Sequence, residues 1–297
     1  MKVLNFGSLN IDYVYQVEHF VRAGETLDSE NMEVFGGGKG LNQSIALSKS
    51  GAKVWHAGAV GENDSEALLE LLNRSGVNTE YVKKKPGASG HAIIQKTASG
   101  ENCILLYGGA NQSITRAEVD DTLRHFSQGD FLILQNEISE IGYIMSKAYS
   151  MGMKIVFNPS PMNHKISTYP LHLVDYLLLN EVEGIELSGD CVLMEELADQ
   201  LANKFPKAGI VLTLGEKGAV YKDKEGTLHQ PIYKVKAVDT TAAGDTFTGF
   251  FIGAIMNGDK VKKALDTAAR AAAIAVTRVG AGASIPTREE VEAIKFI

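Results

Sequence analysis

The 297-residue chain is 44% hydrophobic, enough for one large core, and carries a net charge of −7. That balance argues against a nucleic-acid surface, and two cysteines, Cys103 and Cys191, are too few for a disulfide framework or a cysteine-built metal site. No run approaches the ~20 apolar residues of a membrane span, so a soluble, cytosolic chain is expected.

Val3–Phe6 reads as the first strand. Asn10 and Asp12 follow, and in extended chain they face the same way. A carboxylate accepting two hydroxyl protons beside an amide suits a vicinal diol, although Asn-x-Asp by itself also describes a turn. Residues 11–35 alternate apolar and polar with no helix between them. Gly36-Gly37-Gly38-Lys39-Gly40-Leu41-Asn42 then opens a helix with Leu41, Ser44, Ile45 and Ser48 on one face. It is no Walker A loop, because Gly40 follows Lys39, and no dinucleotide fingerprint, because Leu41 stands where the final glycine belongs. Either its backbone approaches a ligand to which Lys39 and Asn42 donate, or it is a tight turn with an exposed lysine.

Residues 86–109 alternate again. Segments 92–96 and 103–107 flank Ser99-Gly100-Glu101-Asn102, which predicts a hairpin. Together, 11–35 and 86–109 predict a small antiparallel sheet, a lid or subunit-pairing surface inside a single domain spanning residues 1–297.

From about residue 110, the apolar runs Phe131–Gln135, Lys154–Asn158, Tyr176–Asn180 and 210–214 alternate with helical patterns at 138–150, 193–205 and 261–278. The predicted fold is α/β, a mostly parallel sheet flanked by helices on both faces. Residues 232–238 predict one more strand. Ligands of such sheets lie beyond the carboxyl ends of the strands. Gln135-Asn136-Glu137, Asn180-Glu181-Val182-Glu183, the run from Thr213 through Gly215 to Gly218, and the loop after 238 all fall there, which predicts one shared cleft.

That last loop, Asp239-Thr240-Thr241-Ala242-Ala243-Gly244-Asp245, runs into a helix beginning near Gly244, with Phe247, Phe250, Phe251, Ala254 and Ile255 on its buried face. Unpaired amides at the positive end of a helix hold an anion, most naturally a phosphate. Asp245 could simply complement the helix dipole. A base beside an anion hole, taking a proton from a hydroxyl that attacks phosphorus, also accounts for the Ala-Ala-Gly before it. The seven histidines make no metal-ligand spacing, and no G-x-S-x-G elbow occurs.

The chain resembles the ribokinase-like (PfkB-type) sugar kinase family nearly from end to end. The resemblance is carried by Gly7-Ser8-Leu9-Asn10-Ile11-Asp12, Gly24-Glu25-Thr26, Gly37 through Gln43, Gly109-Ala110-Asn111, Asn158-Pro159-Ser160-Pro161, Asn180 through Glu183, Thr213-Leu214-Gly215, Asp239 through Phe247 and Ala275-Val276-Thr277-Arg278. It implies an ATP-dependent kinase with ribose as the expected acceptor; another small sugar, a sugar acid or a nucleoside is the alternative, and a non-catalytic sugar sensor the rival of another class. By the same resemblance Asp245 is the base, and Ala242, Ala243 and Gly244 form the anion hole. Asn10, Asp12, Gly38, Lys39, Asn42 and Glu137 contact the sugar, with Ala92, Ile94 and Leu106 as an apolar wall. Asn180 and Glu183 serve Mg²⁺ and phosphate; Thr213, Gly215 and Gly218 lie where the nucleotide sits. Asp239, Thr241, Gly280 and Ser284 surround a monovalent cation, K⁺. A homodimer joined through the lid is implied, with neither membrane nor nucleic acid as partner. The sequence departs from the family pattern at Gly36, His91, Gln95 and Arg270.

Overall fold

The computed structural model describes residues 1–189 and 196–296. In chain order its elements begin with β1 (Val3–Phe6), β2 (Asn10–Gln16), β3 (Asn31–Gly37), α1 (Lys39–Lys49), β4 (Val54–Gly61), α2 (Glu66–Arg74), β5 (Asn78–Lys85), β6 (Gly90–Lys96) and β7 (Asn102–Tyr107). There follow α3 (Arg116–Leu123), β8 (Phe131–Gln135), α4 (Ile141–Ser150), β9 (Lys154–Asn158), β10 (Tyr176–Asn180), α5 (Glu181–Ser188), α6 (Leu197–Lys204) and β11 (Gly209–Thr213). The chain closes with β12 (Ala219–Asp223), β13 (Gly226–Gln230), α7 (Ala243–Met256), α8 (Val261–Ala275) and α9 (Arg288–Ala293).

Nine strands form one sheet in the order β13-β12-β11-β10-β9-β8-β1-β4-β5, parallel from β11 to β5 and antiparallel at the β12 and β13 edge. Alternate residues of its strands enter two separate cores. Leu4, Leu132, Leu134 and Ile155 pack on the face covered by Ile144 and Met145 of α4; Val3, Ile133, Val156 and Val211 pack on the face covered by α1, α7 and α8. Both faces are therefore apolar, which is why these strands read as continuous hydrophobic runs.

The smaller sheet has the order β3-β2-β6-β7. The β2–β3 and β6–β7 pairs are antiparallel, and a parallel β2–β6 ladder joins them side by side. Its chain passes from β3 into α1 through the single residue Gly38, whose φ of 92° lies in the left-handed region. Gly36 also has a packing reason: a Cβ there would meet Leu71 of α2 at 2.8 Å.

Three sequence expectations shift. Residues 232–238 form no strand. Pro231 interrupts the donors after β13, and the amides of Val238 and Asp239 turn to the Val276 carbonyl at the end of α8 instead of a neighbouring strand. Helix α4 starts at Ile141, after Glu140 in a left-handed conformation (φ 59°), so Ile138 and Ser139 belong to the loop leaving β8. Helix α8 ends at Ala275 and not 278. The expected start of α6 at residue 193 lies outside the described residues. Among those described, no helix is long and apolar enough to cross a membrane.

Candidate active site

Helices α1 and α7 meet face to face because α7 is thin on that side. A Cβ on Gly249 would lie 2.3 Å from Ala46 Cβ, and one on Gly253 would lie 2.0 Å from Ser50 Oγ. Close packing of the two helices brings their N-termini together. Asp245, in the first turn of α7, receives a hydrogen bond on each carboxylate oxygen: Asn42 Nδ2 donates to Oδ2 at 3.1 Å and Gln43 Nε2 to Oδ1 at 2.9 Å.

Ala242 precedes α7 as a non-glycine residue with φ 60°, a conformation that costs on the order of 1 kcal/mol for an alanine. It turns the chain sharply at the edge of a cavity of about 180 Å³; the Ala243 amide donates to the Thr240 carbonyl at 3.2 Å, which leaves Gly244 and Asp245 as the first-turn amides without an intrahelical acceptor. Lys39, Asn158, Asn180, Glu183, Thr213, Ala242, Ala243, Gly244 and Asp245 line it. The cavity lies beyond the carboxyl ends of β9, β10 and β11, where the sequence placed a shared cleft.

The second half of the site sits where the small sheet meets the large one. Asp12 pairs across strands with Phe35 and Ala92, and Ala92 pairs with Leu106, so these side chains share one face; Ile94 follows two positions along. The Asp12 carboxylate lies across Gly37, where a Cβ would come within 1.9 Å of Oδ2. Asn10 is buried, and its Oδ1 accepts from Asn111 Nδ2 at 2.8 Å. Glu137 Oε2 accepts from the Ser8 hydroxyl and from the Lys39 amide at 3.0 Å, which ties the end of β8 to the glycine loop.

Burial pushes the Asp12 carboxyl up to about 7; the Glu137 charge adds to the rise and Lys39 opposes it. Burial also raises Glu137, against the attraction of Lys39. For Lys39, burial alone would favour the neutral amine, but Asp245, Glu137, Glu183 and Asp12 together hold its pKa above the ordinary lysine value. One ammonium thus faces four carboxylates and joins both halves of the site.

Other expected residues have local structural duties as well. Asn180 and Glu183 form a reciprocal capping box at the start of α5: Asn180 Oδ1 accepts from the Glu183 amide at 2.9 Å and Glu183 Oε2 from the Asn180 amide at 3.0 Å. Thr213 Oγ1 donates to the Leu179 carbonyl at 3.4 Å. Gly215 adjoins open space at φ 54°, whereas Gly218 is pinned under Gln230, whose carbonyl oxygen a Cβ would meet at 2.1 Å; neither glycine lines the cavity.

Asp239 ties the proposed cation loop together. Its Oδ1 accepts from the Thr241 amide and hydroxyl, and its Oδ2 from the Gly280 amide at 3.2 Å, while buried Ser284 donates to the Ala281 carbonyl. Burial works against the Asp239 charge, but these donors hold its pKa below the ordinary carboxylate value.

Arg270 lies elsewhere. Its guanidinium sits over the Tyr233 and Phe296 rings at 5.0 and 5.7 Å and bonds to Asp266 and the Ile294 carbonyl, fastening the C-terminal segment to α8. Reading the sequence missed Gln43, Asn111 and Ser8 as site residues, although all three fall within the quoted motifs.

The profile of the pfkB family carbohydrate kinases matches residues 1–288. The ribokinase of Staphylococcus aureus is 36% identical over 303 residues, which cover 99% of each chain. The solved ribokinase of Thermotoga maritima superposes with a TM-score of 0.88 at 34% identity, covering 99% of this chain and 98% of its own. The ribokinase of Arabidopsis thaliana, solved with ribose and ATP, gives a TM-score of 0.88 at 27% identity over 98% of this chain and 97% of its own.

Proposed function

The chain belongs to the pfkB family of carbohydrate kinases, and from that premise we propose that it transfers the γ-phosphoryl group of ATP to the primary hydroxyl of D-ribose, giving ribose 5-phosphate. The observation that carries the reading is Asp245: a carboxylate gripped on both oxygens at the mouth of an amide-lined cavity, one lysine away from a carboxylate-and-amide set suited to a sugar.

In this reading Asp12 and Asn10 accept and donate to the ribose hydroxyls, with Lys39 and Glu137 beside them and Ala92, Ile94 and Leu106 against the apolar side of the ring. Asp245 takes the proton of the primary hydroxyl as that oxygen attacks the γ-phosphorus. The amides at the start of α7 receive the charge that develops on the transferred group, and the fixed dipoles make positioning and electrostatics the main source of rate. The smaller sheet acts as a lid that excludes water, the competing acceptor.

Among the described residues no cluster of three or more His, Cys, Asp or Glu is arranged to hold a metal by itself. The excess of carboxylates around Lys39 nevertheless fits Mg²⁺ arriving with ATP, since that ion binds through one or two carboxylates and the substrate phosphates. Glu183 and Asn180 are the residues that would hold it, and it would neutralise phosphate charge. The ionised Asp239 loop fits a monovalent cation, with Thr241, Gly280 and Ser284 beside it.

We read the whole chain as a single catalytic domain that pairs into a homodimer through the lids. Ile104 and Leu106 leave one face of β7 apolar and exposed, Leu105 and Tyr107 the other, and a small sheet needs such faces covered. Dependence on ATP suits a cytoplasmic enzyme. A coupled assay for ADP release, run with a panel of pentoses, hexoses, sugar acids and nucleosides, tests the reading. Ribose should give the highest kcat/KM; a nucleoside or hexose preferred over ribose would overturn the substrate, and no ATP-dependent turnover would overturn the activity.

A further inference from the structure

Three neighbouring strands each bury one polar side chain beneath α1: Gln135 on β8, Asn5 on β1 and His56 on β4, all at 0% exposure. They lie on a continuous path. Gln43 Nε2 donates to Asp245 Oδ1 at 2.9 Å, while Gln43 Oε1 accepts from Gln135 Nε2 at 2.7 Å. The same Gln135 nitrogen donates to Asn5 Oδ1 at 2.9 Å. Asn5 Nδ2 donates to Ser44 Oγ at 2.8 Å and to the Gly40 carbonyl at 2.7 Å. Ser44 Oγ lies 2.7 Å from His56 Nδ1, and His56 Nε2 lies 3.2 Å from the Gly7 carbonyl oxygen.

The direction of every bond follows from the far end. A carbonyl only accepts, so His56 carries its proton on Nε2. Burial pulls the His56 pKa down to about 4, against the Gly7 hydrogen bond, so Nδ1 is bare and must accept from Ser44. The Ser44 oxygen then accepts from Asn5 Nδ2, which turns Asn5 Oδ1 toward Gln135, which in turn presents an N–H to Gln43 Oε1. The amide nitrogen of Gln43 is left to face Asp245. Turning Gln43 around would set its oxygen against a carboxylate and its NH₂ against another NH₂. Gln135 holds its orientation at a cost: its Oε1 has no partner and occupies the space a Cβ of Gly7 would need, at 2.3 Å.

We infer that Gln43 is a positioning residue for Asp245, and that a buried relay through Gln135, Asn5, Ser44 and His56 fixes which end of the Gln43 amide meets the base. Apolar residues could fill this space with little loss of stability, since replacing both partners of a buried hydrogen bond is close to neutral. What they could not do is orient a carboxylate from beneath a helix. The inference rests on the reading of Asp245 as the base.

The test is a cycle of Gln43→Met, Gln135→Met and the double variant, each measured for kcat, for ribose binding by calorimetry and for the pH dependence of kcat. Gln43→Met should lower kcat on the order of 10²-fold, the usual scale for a misplaced catalytic group. Gln135→Met should lower kcat in the parent and add nothing in the Gln43→Met background. In both variants the acid limb of the profile should move to higher pH, because a carboxylate that loses an N–H donor is more easily protonated. Ribose should bind as in the parent, its stoichiometry counting the folded fraction. If Gln135→Met does not fold, Gln135→Glu takes its place: a carboxylate turns the Gln43 amide around, and kcat should fall further. Full kcat in Gln43→Met, or losses that add independently with an unmoved pH profile, overturns the relay. Asp245→Asn separates this from failure of the mechanism itself: an active Asp245→Asn removes the base, whereas an inactive Asp245→Asn beside a fully active Gln43→Met removes only the relay.

Discussion

Gly249 of α7 lies against Ala46 of α1 so closely that a Cβ on the glycine would stand 2.3 Å from the alanine Cβ. The contact is three residues beyond Gln43 on one helix and four beyond Asp245 on the other, so it sets the distance between the base and the amides that hold it. Gly249→Ala is therefore expected to spread the helices and separate Asp245 from Asn42 and Gln43. Overpacking of this kind costs about 1–3 kcal/mol. The predicted result is a folded, less stable protein whose kcat falls more than its affinity for ribose; equal activity at equal folded fraction would refute it.

Asp245→Asn keeps the size of the side chain but cannot accept the proton. Loss of a general base costs about 10²–10⁴-fold in rate. Turnover should collapse while calorimetry still detects ribose, and retention of more than a tenth of the activity would show that the proton goes elsewhere.

Asp12 makes a pH-dependent prediction. Its pKa in the folded protein, about 7, is above its value in an unfolded chain, near 3.9. Protonation therefore favours the fold: the contribution is complete below the unfolded pKa and is lost as pH rises through about 7. Asp12→Asn should raise Tm at pH 8 and have little effect at pH 4. The wild-type kcat/KM for ribose should climb as pH rises through 7, and the variant should lack that limb and bind ribose poorly. A variant no more stable than wild type at pH 8 would contradict the electrostatics.

The Asp239 loop lies beside the start of α7 and does not line the sugar half of the site. Exchanging K⁺ for a bulky organic cation at constant ionic strength should lower kcat and leave ribose affinity unchanged. Equal turnover in the two salts would dismiss the cation.

Leu105 is 68% exposed on β7. If the small sheets of two subunits cover each other, Leu105→Glu should convert a dimer to monomers in sedimentation at micromolar concentration. A wild-type monomer with full activity would refute the pairing, and a dimer indifferent to the charge would move the contact elsewhere.

Much of this is legible in the sequence. Runs such as Phe131–Gln135 stand out because both faces of the parallel sheet are buried, and the Asp245 loop because small residues gather before a helix. Residues 232–238 depart from expectation because a local run of residues says nothing about a neighbouring strand, and none accepts this segment. Asn180 and Glu183 carried two messages at one spacing, a helix cap and a ligand pair, and only the cap is made by the chain alone. Gln43 escaped notice because a glutamine inside a helix looks like any surface position; its partners Gln135 and Asp245 lie 92 and 202 residues away, a juxtaposition that only the fold creates.

Gly38, the lone residue between β3 and α1, makes the two halves of the molecule mechanically inseparable. The first turns of α1, directly beyond that joint, carry Asn42 and Gln43, the two hands on the Asp245 carboxylate. In the proposed reading a sugar held by Asp12 on β2 and deprotonated by Asp245 on α7 spans the joint, so closure of the small sheet over it would set the cover and the base together.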